Sequence, residues 1–163
     1  CSGVSTNSIY TRFGDKSGLF SAVVKPAADG LMEIYLGSIS EASVCGSANT
    51  AIDMGGDGTE QVLKYIYDNL DAFRLIFCNS AGTEYEDYFD RLAETEEKFY
   101  REFVRKYAKE PQKISDFFIH VVCRTGWQYV FEVVSHDIPY EEAQGFMKSI
   151  REYSFAGWKR VME

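Results

Sequence analysis

Apolar side chains recur at helical spacing along most of the chain, and no stretch alternates apolar and polar residues over the length of a strand. The longest stripe follows the i, i+3, i+4, i+7 spacing that places side chains on one face of a helix. Its members are Ile114, Phe117, Phe118, Val121, Val122, Thr125, Tyr129, Val130 and Val133. This pattern predicts an all-α protein.

Helix boundaries follow from capping residues and from breaks in the pattern. Asp15 stands where an N-cap is favoured, and Gly14 stands where the preceding helix would end. Four glycines among small polar residues predict a loop over Cys45–Gly58. Helices are therefore predicted over residues 6–13, 16–43, 59–79, 85–107, 114–134 and 140–162.

Length and composition favour one compact domain in a reducing compartment. The 163 residues are 45% hydrophobic, and no run of about 18 apolar residues predicts a membrane-spanning helix. The first five residues do not resemble a signal peptide, and the four cysteines form no C-x-x-C pair. Scattered thiols fit a reducing cytosol better than a disulfide scaffold, so we expect a cytoplasmic protein with no membrane contact.

Charge is distributed unevenly along the chain. The net charge of −8 by itself disfavours a nucleic-acid binder. Residues 1–25, however, carry three bases and one acid, a net charge of +2, and the remaining 138 residues carry a net charge of −10. A basic tip on an acidic body is the distribution expected of a protein that contacts DNA at one end.

The most informative segment is residues 3–20, in which a glycine turn precedes two capped helices. Ile9 and Phe13 are four residues apart and share the face expected to be buried. The opposite face carries hydrogen-bonding side chains that suit base edges in a major groove, namely Thr6, Asn7, Tyr10 and Thr11. Ser5, Tyr10 and Lys16 suit phosphates, and Lys16 also begins a helix whose N-terminus attracts anions.

The order V-S-x-x-x-I-Y-x-x-F-x-x-K-x-x-L-F over residues 4–20 resembles the recognition helix and the next helix start of the tetracycline-repressor (TetR) family. The resemblance is specific over residues 3–24 and weak elsewhere. It implies that Thr6, Asn7, Tyr10 and Thr11 face bases, and that Ser5, Ser8, Tyr10 and Lys16 hold the DNA backbone. The chain departs from the family at two places. Family members often have Gly-Thr where this chain has Asn7-Ser8, and His or Tyr where it has Arg12. These departures affect which operator is read.

The resemblance also implies a division of the chain and a function. Residues 1–25 would be the C-terminal part of a helix-turn-helix DNA-binding domain, and residues 26–163 a helical ligand-binding and dimerisation domain. Because family members carry one helix and most of another before the glycine turn, we expect further residues before Cys1 in the complete protein. The implied function is a transcriptional regulator, in the simplest case a repressor, that binds an operator as a homodimer and is released by a small-molecule ligand.

Two features of the body agree with this interpretation. The last two predicted helices, about 114–134 and 140–162, have broad apolar faces suited to a homodimer, although the same stripes would also fit a monomer's own core. Family ligands bind between the central helices, which here are rich in aromatic side chains. The candidate ligand-binding residues are therefore Phe89, Leu92, Glu96, Phe99, His120, Cys123 and Trp127. Each of them could instead belong to the core or to the solvated surface of a helix.

Metal and enzyme functions are not favoured. His120 and Cys123 have i, i+3 spacing, but a tetrahedral site needs two further ligands, and Glu96 or His136 supplies only one each. No catalytic triad spacing, phosphate loop or H-E-x-x-H motif occurs, so we expect no enzyme activity, cofactor or metal.

Three alternatives stay open at this point. Residues 3–20 would also fit an ordinary pair of capped helices within a core. The whole chain would fit a dimeric helical ligand-binding or interaction module without DNA activity, which predicts no salt-dependent DNA binding. An unrelated helical-bundle enzyme would need catalytic residues that the sequence does not nominate.

Overall fold

The computed structural model describes the backbone of residues 6–44 and 48–163 and the side chains of residues 10–44 and 58–163. This part of the chain contains helices and one short 3-10 turn (Pro111–Lys113) and no strand, which confirms the prediction of an all-α fold. Its helices are α1 (Thr6–Phe13), α2 (Lys16–Ser43), α3 (Ala48–Asp68), α4 (Leu70–Asn79), α5 (Tyr88–Tyr107), α6 (Asp116–Ser135) and α7 (Tyr140–Met162).

α1 ends and α2 begins where the capping residues predict. Gly14 ends α1 with a left-handed φ of 79°, a conformation that glycine adopts without a steric cost. The Asp15 carboxylate caps α2 by accepting a hydrogen bond of 2.8 Å from the backbone N–H of Gly18. α2 then continues without interruption to Ser43 and crosses the predicted domain boundary at residues 25 and 26.

The predicted loop over Cys45–Gly58 is wrong for most of its length. Residues 45–47 lie outside the described residues, but α3 begins at Ala48 and includes the glycines at 55, 56 and 58. At Gly58 the reason is packing, because a Cβ atom there would lie 2.8 Å from the Cβ of Ser38 on α2. Glycine lowers helix propensity by up to about 1 kcal/mol, and here it permits two helices to approach closely.

Two other helix boundaries differ from the predictions. The predicted helix over 59–79 is divided at Asn69, where α3 ends and α4 begins. The helix predicted from Tyr85 begins at Tyr88, and Tyr85 lies in the preceding turn with its side chain buried. Apolar periodicity continues across both breaks because the flanking segments face the same core.

The apolar side chains form two separate clusters. The larger cluster contains side chains from each of the helices α2 through α7. Its most deeply buried members include Val24, Leu31, Ile66, Phe73, Leu92 and Val134. The smaller one joins the C-terminal half of α5 to α6 and α7 through Phe103, Val104, Ile119, Cys123, Trp158 and Met162. A bundle with two clusters has a natural place for a cavity where they meet.

The outer face of α6 and α7 exposes several large apolar side chains. Phe117 is 74% exposed and Tyr153 is 71% exposed. The other members of this outer face are Phe118, Val121, Phe146 and Val161.

No helix within the described ranges is both long enough and apolar enough to span a bilayer.

Candidate ligand pocket and DNA-facing helix

A pocket of about 220 Å³ lies between the two apolar clusters and draws its walls from five helices. α2 and α3 line one side with Tyr35, Ser38, Ile39, Ala42, Gly58, Thr59 and Val62. α5 and α6 contribute Glu96, Phe99, Tyr100, Phe103, Gly126, Trp127, Tyr129 and Val130. α7 completes it with Met147, Ile150, Arg151, Ser154, Phe155 and Trp158.

Aromatic rings in fixed relative orientations form much of the pocket wall. Tyr35 meets Trp127 edge to face, with ring centroids 5.0 Å apart and an interplanar angle of 85°. Tyr100 stacks on Trp158 at 4.7 Å and 11°. Both arrangements are favoured by the ring quadrupoles.

Glu96 places one carboxyl group against this aromatic wall. Gly126 of α6 faces this group, since a Cβ atom at Gly126 would be in ordinary van der Waals contact with the Glu96 Oε2 atom, at 3.7 Å. Burial disfavours the charged form and raises the pKa of Glu96 from its ordinary 4.5 to about 8. The nearby indole N–H of Trp127 favours the charged form and lowers this pKa, but by less than burial raises it.

The indole N–H of Trp127 has no hydrogen-bond partner among the described residues, although the side chain is only 4% exposed. It lies near Glu96 and Tyr35, and its proximity lowers the pKa of both, but it does not reach hydrogen-bond geometry with either. A buried donor without a partner costs about 1–3 kcal/mol. The pocket therefore holds a donor and a carboxyl group that are both available to a ligand.

The tyrosine and cysteine side chains around Glu96 stay neutral. Burial is the main cause that raises the pKa values of Tyr35, Tyr100 and Cys123 above their ordinary range. Arg151 lines the pocket from α7, but its side chain is exposed, and it forms no ion pair with Glu96. Glu96 is therefore the acidic group in this pocket that a cationic ligand would meet.

Three of the seven candidate ligand-binding residues line the pocket, namely Glu96, Phe99 and Trp127. Leu92 is fully buried in the larger cluster, and Cys123 is buried in the smaller one. Phe89 packs against the larger cluster, with the Arg124 guanidinium 5.9 Å from its ring centroid.

His120 belongs to a separate polar cluster. Its Nδ1 atom lies 2.7 Å from the Oε1 atom of Glu97, which is buried. Arg101 donates to Glu97 Oε2 at 2.9 Å and lies 3.5 Å from Asp116. Glu97 is therefore a buried carboxylate with two partners, and this cluster links α5 to α6.

Six aromatic residues of the pocket were not among the candidates, namely Tyr35, Tyr100, Phe103, Tyr129, Phe155 and Trp158. Tyr100 follows Glu96 by four residues, so the spacing on α5 alone was enough to place it on the same face. Tyr35 and Trp158 come from α2 and α7, and their position depends on how those helices pack against α5 and α6. No local signal in the sequence carries that information.

No cluster of three or more His, Cys, Asp or Glu side chains suited to a metal ion occurs in the part of the chain whose side chains are described. His120 and Cys123, the pair at i, i+3 spacing, have different surroundings. His120 is partly exposed beside Glu97, and Cys123 is buried among apolar side chains.

The candidate DNA-facing residues lie at the start of the described chain. Ser5 lies outside the described residues, and Thr6, Asn7 and Ser8 lie within α1 but outside the described side chains. Tyr10 is 54% exposed, and Thr11 and Lys16 are also exposed. Lys16 is the first residue of α2, directly after the Asp15 cap.

Comparisons of the chain with models of protein families, with curated proteins and with solved structures find no match in any of the three.

Proposed function

We propose that the chain is the sensing and dimerising part of a cytoplasmic DNA-binding transcriptional regulator, in the simplest case a repressor. It binds an operator as a homodimer and is released when a small molecule occupies the pocket. The observation that carries the proposal is the continuity of α2, which joins the candidate DNA-facing end of the chain to the pocket wall. The resemblance of residues 3–24 to TetR-family regulators supports the same function.

The two ends of α2 have different surroundings. Its first residue, Lys16, is exposed, and Tyr35, nineteen residues later, lines the pocket. At 1.5 Å per residue the two positions are about 28 Å apart along one helix. Between them the Tyr88 hydroxyl donates a hydrogen bond of 2.7 Å to the carbonyl of Ala28 and anchors α2 to α5.

A helix that is anchored between its ends transmits a displacement from one end to the other. A ligand that moves Tyr35 tilts α2 about the anchor and shifts Lys16 and the preceding α1. Two reading helices match a DNA duplex only when they are about one helical turn apart, so a small tilt in each subunit lowers operator affinity. The ligand acts by binding the tilted state more tightly than the DNA-bound state.

A test of DNA binding uses the complete protein, its own upstream intergenic DNA and fluorescence anisotropy at two salt concentrations. We expect the double substitution Tyr10→Ala/Lys16→Ala to weaken operator binding at least tenfold, because both side chains are exposed beside the helix start that attracts phosphates. Loss of Lys16 as a phosphate contact lowers the slope of log affinity against log salt by about 1.

Lys148→Ala is the matched control for this experiment, because Lys148 is exposed on α7 in the acidic body. We expect it to bind the operator like the wild type. Unchanged affinity in the double variant contradicts the assignment of the DNA-facing helix. Binding of the wild type no better than to random DNA favours the ligand-binding or interaction module without DNA activity.

Dimerisation through α6 and α7 is tested at Gly157, which shares the exposed apolar face of α7 with Tyr153 and Val161. A Cβ atom at Gly157 meets no atom within 4 Å, so Gly157→Leu is tolerated within one subunit. In a dimer whose α7 helices approach closely, the same side chain overpacks the interface by about 1–3 kcal/mol. We therefore expect the dimer dissociation constant, measured by sedimentation equilibrium, to rise about tenfold or more.

Gly145→Leu provides the control on the same helix. Gly145 also has open space around it, but its neighbours one turn away are the exposed polar residues Glu141 and Ser149. We expect this variant to dimerise like the wild type. Equal dimerisation of the two leucine variants would place the subunit interface elsewhere.

A further inference from the structure

We propose that the pocket binds a flat aromatic cation of one or two rings, with its positive charge against Glu96 and its ring between Tyr35, Tyr100 and Trp127. The inference rests on the proposed function, because it takes this pocket to be the effector site. It goes further by naming the chemical class of the effector and the residue that selects it.

The first argument is that the pocket contains polar groups without partners. The Glu96 carboxyl forms no ion pair and no hydrogen bond of ordinary geometry with the described residues. The nearby Trp127 N–H is buried and also lacks a partner. Because a buried donor without a partner is costly, the Trp127 N–H favours the ionised form of Glu96, the acceptor beside it, and a cation in the pocket stabilises that form.

The second argument is that the chain has no cation of its own for Glu96. Every lysine, arginine and histidine of the sequence lies among the residues whose side chains are described, and none pairs with Glu96. The titratable groups that face it are Tyr35 from α2, Tyr100 from α5 and Cys123 from α6, and all three stay uncharged. Arg151 of α7 lines the pocket with an exposed side chain. A positive charge beside Glu96 must therefore come from the ligand.

The aromatic wall supports the same class of ligand. Faces of tryptophan and tyrosine attract cations, most strongly where the cation is desolvated. The edge-to-face pair Tyr35–Trp127 and the stacked pair Tyr100–Trp158 present such rings around the carboxyl group. A carboxylate surrounded by aromatic rings favours a delocalised aromatic cation over a strongly hydrated ammonium ion.

The volume of the pocket sets the size of the ligand. An apolar cavity of roughly 150 Å³ is large enough to hold benzene. The pocket has a volume of about 220 Å³. The space therefore suits one or two fused rings and excludes large polycyclic compounds unless the walls move.

Binding of a cation changes the protonation of Glu96. In the empty pocket burial keeps the pKa near 8, so the carboxyl is mostly protonated at neutral pH. A cation favours the carboxylate, so complex formation releases this proton to solvent. Affinity for a permanently charged ligand therefore rises by up to about tenfold per pH unit below pH 8 and becomes constant above it.

The test uses two probes of nearly the same shape, 1-methylquinolinium, which is permanently charged, and 1-methylnaphthalene, which is neutral. Both tryptophans of the chain line the pocket, so quenching of their fluorescence reports its occupancy. We expect the wild type to bind the cation at least tenfold more tightly than the neutral probe at pH 8. We also expect its affinity for the cation to fall as the pH is lowered to 6.

Glu96→Gln keeps the shape of the side chain and removes the charge. We expect this variant to lose at least tenfold in affinity for the cation and to lose its pH dependence, while binding of the neutral probe is unchanged. Glu94→Gln, on an exposed position of the same helix, is the control and should bind like the wild type. Circular dichroism and binding of the neutral probe show whether the Glu96 variant is folded.

The proposal is overturned if the wild type binds the cation no more tightly than the neutral probe, or if Glu96→Gln binds the cation as well as the wild type. This experiment contains no DNA, so its failure leaves the proposed regulator intact. Conversely, selective binding of the cation by a protein that does not recognise its operator would support the ligand class and reject the regulator.

Discussion

Leu31→Ala is expected to lower the free energy of unfolding by about 2–5 kcal/mol, whereas Leu36→Ala, on the same helix, is expected to lower it by less than about 0.5 kcal/mol. Leu31 is 0% exposed and belongs to the larger apolar cluster, and Leu36 is 48% exposed. Truncation at Leu31 removes buried methyl groups and leaves a cavity that the surrounding helices fill only in part. Truncation at Leu36 removes atoms that already contact solvent.

Urea unfolding followed by circular dichroism measures both variants at one protein concentration, because the proposed dimer would make the apparent stability depend on concentration. Equal slopes against urea in the two variants show that the change is in stability and not in the extent of unfolding. Similar losses of stability at Leu31 and Leu36 would contradict the orientation of α2 in the bundle. The orientation of α2 also determines which of its side chains line the pocket. The pair of variants therefore also tests the α2 wall of the candidate ligand pocket.

Local chemistry allowed the N-terminal helices to be predicted accurately from the sequence. A cap such as Asp15 and a left-handed glycine such as Gly14 act within three or four residues of their own position, so the signal is present in a short window. The start of α3 was missed for the opposite reason. Gly58 resembles a loop residue until Ser38, twenty positions earlier, is known to lie against it.

The pocket could be predicted only in part because α5 changes its surroundings along its length. Leu92 and Glu96 are four residues apart and lie on one face, but Leu92 is packed in the larger cluster and Glu96 lines the pocket. Periodicity identifies the inner face of a helix and does not show where the core ends and a cavity begins. Only the packing of α2 and α7 against α5 and α6 sets that point.

The sequence alone also did not show which charged residues near the apolar stripes are ion-paired and which face the pocket. Glu96 and Glu97 are adjacent in the sequence, yet Glu97 is satisfied by His120 and Arg101, and Glu96 has no ionic partner. A rotation of 100° between successive helical positions is enough to place one carboxyl group in an ion-paired cluster and the next in a pocket. The functional interest of Glu96 comes from this difference in partners.

Glu96 is expected to make the stability of the protein fall as the pH rises from about 4.5 to 8. Its pKa is about 8 in the folded protein and close to its ordinary 4.5 in the unfolded chain. Below pH 4.5 both states hold the proton and the group has no effect on stability. Between the two values the folded state keeps the proton and the unfolded chain releases it. Unfolding therefore becomes more favourable with each unit that the pH rises.

We expect the free energy of unfolding of the wild type to fall relative to that of Glu96→Gln by about 2–4 kcal/mol over this range, with most of the change complete at pH 8. The value is below the full effect of the shift because the side chain is partly exposed to the pocket, where solvent screens its charge. Urea titrations at half-unit pH steps measure the difference, and Glu94→Gln, exposed on the same helix, should show none. A constant difference between the wild type and Glu96→Gln from pH 5 to 8 would mean that the carboxyl is already solvated or paired. The same carboxyl would then have no proton to release when a cation enters the pocket.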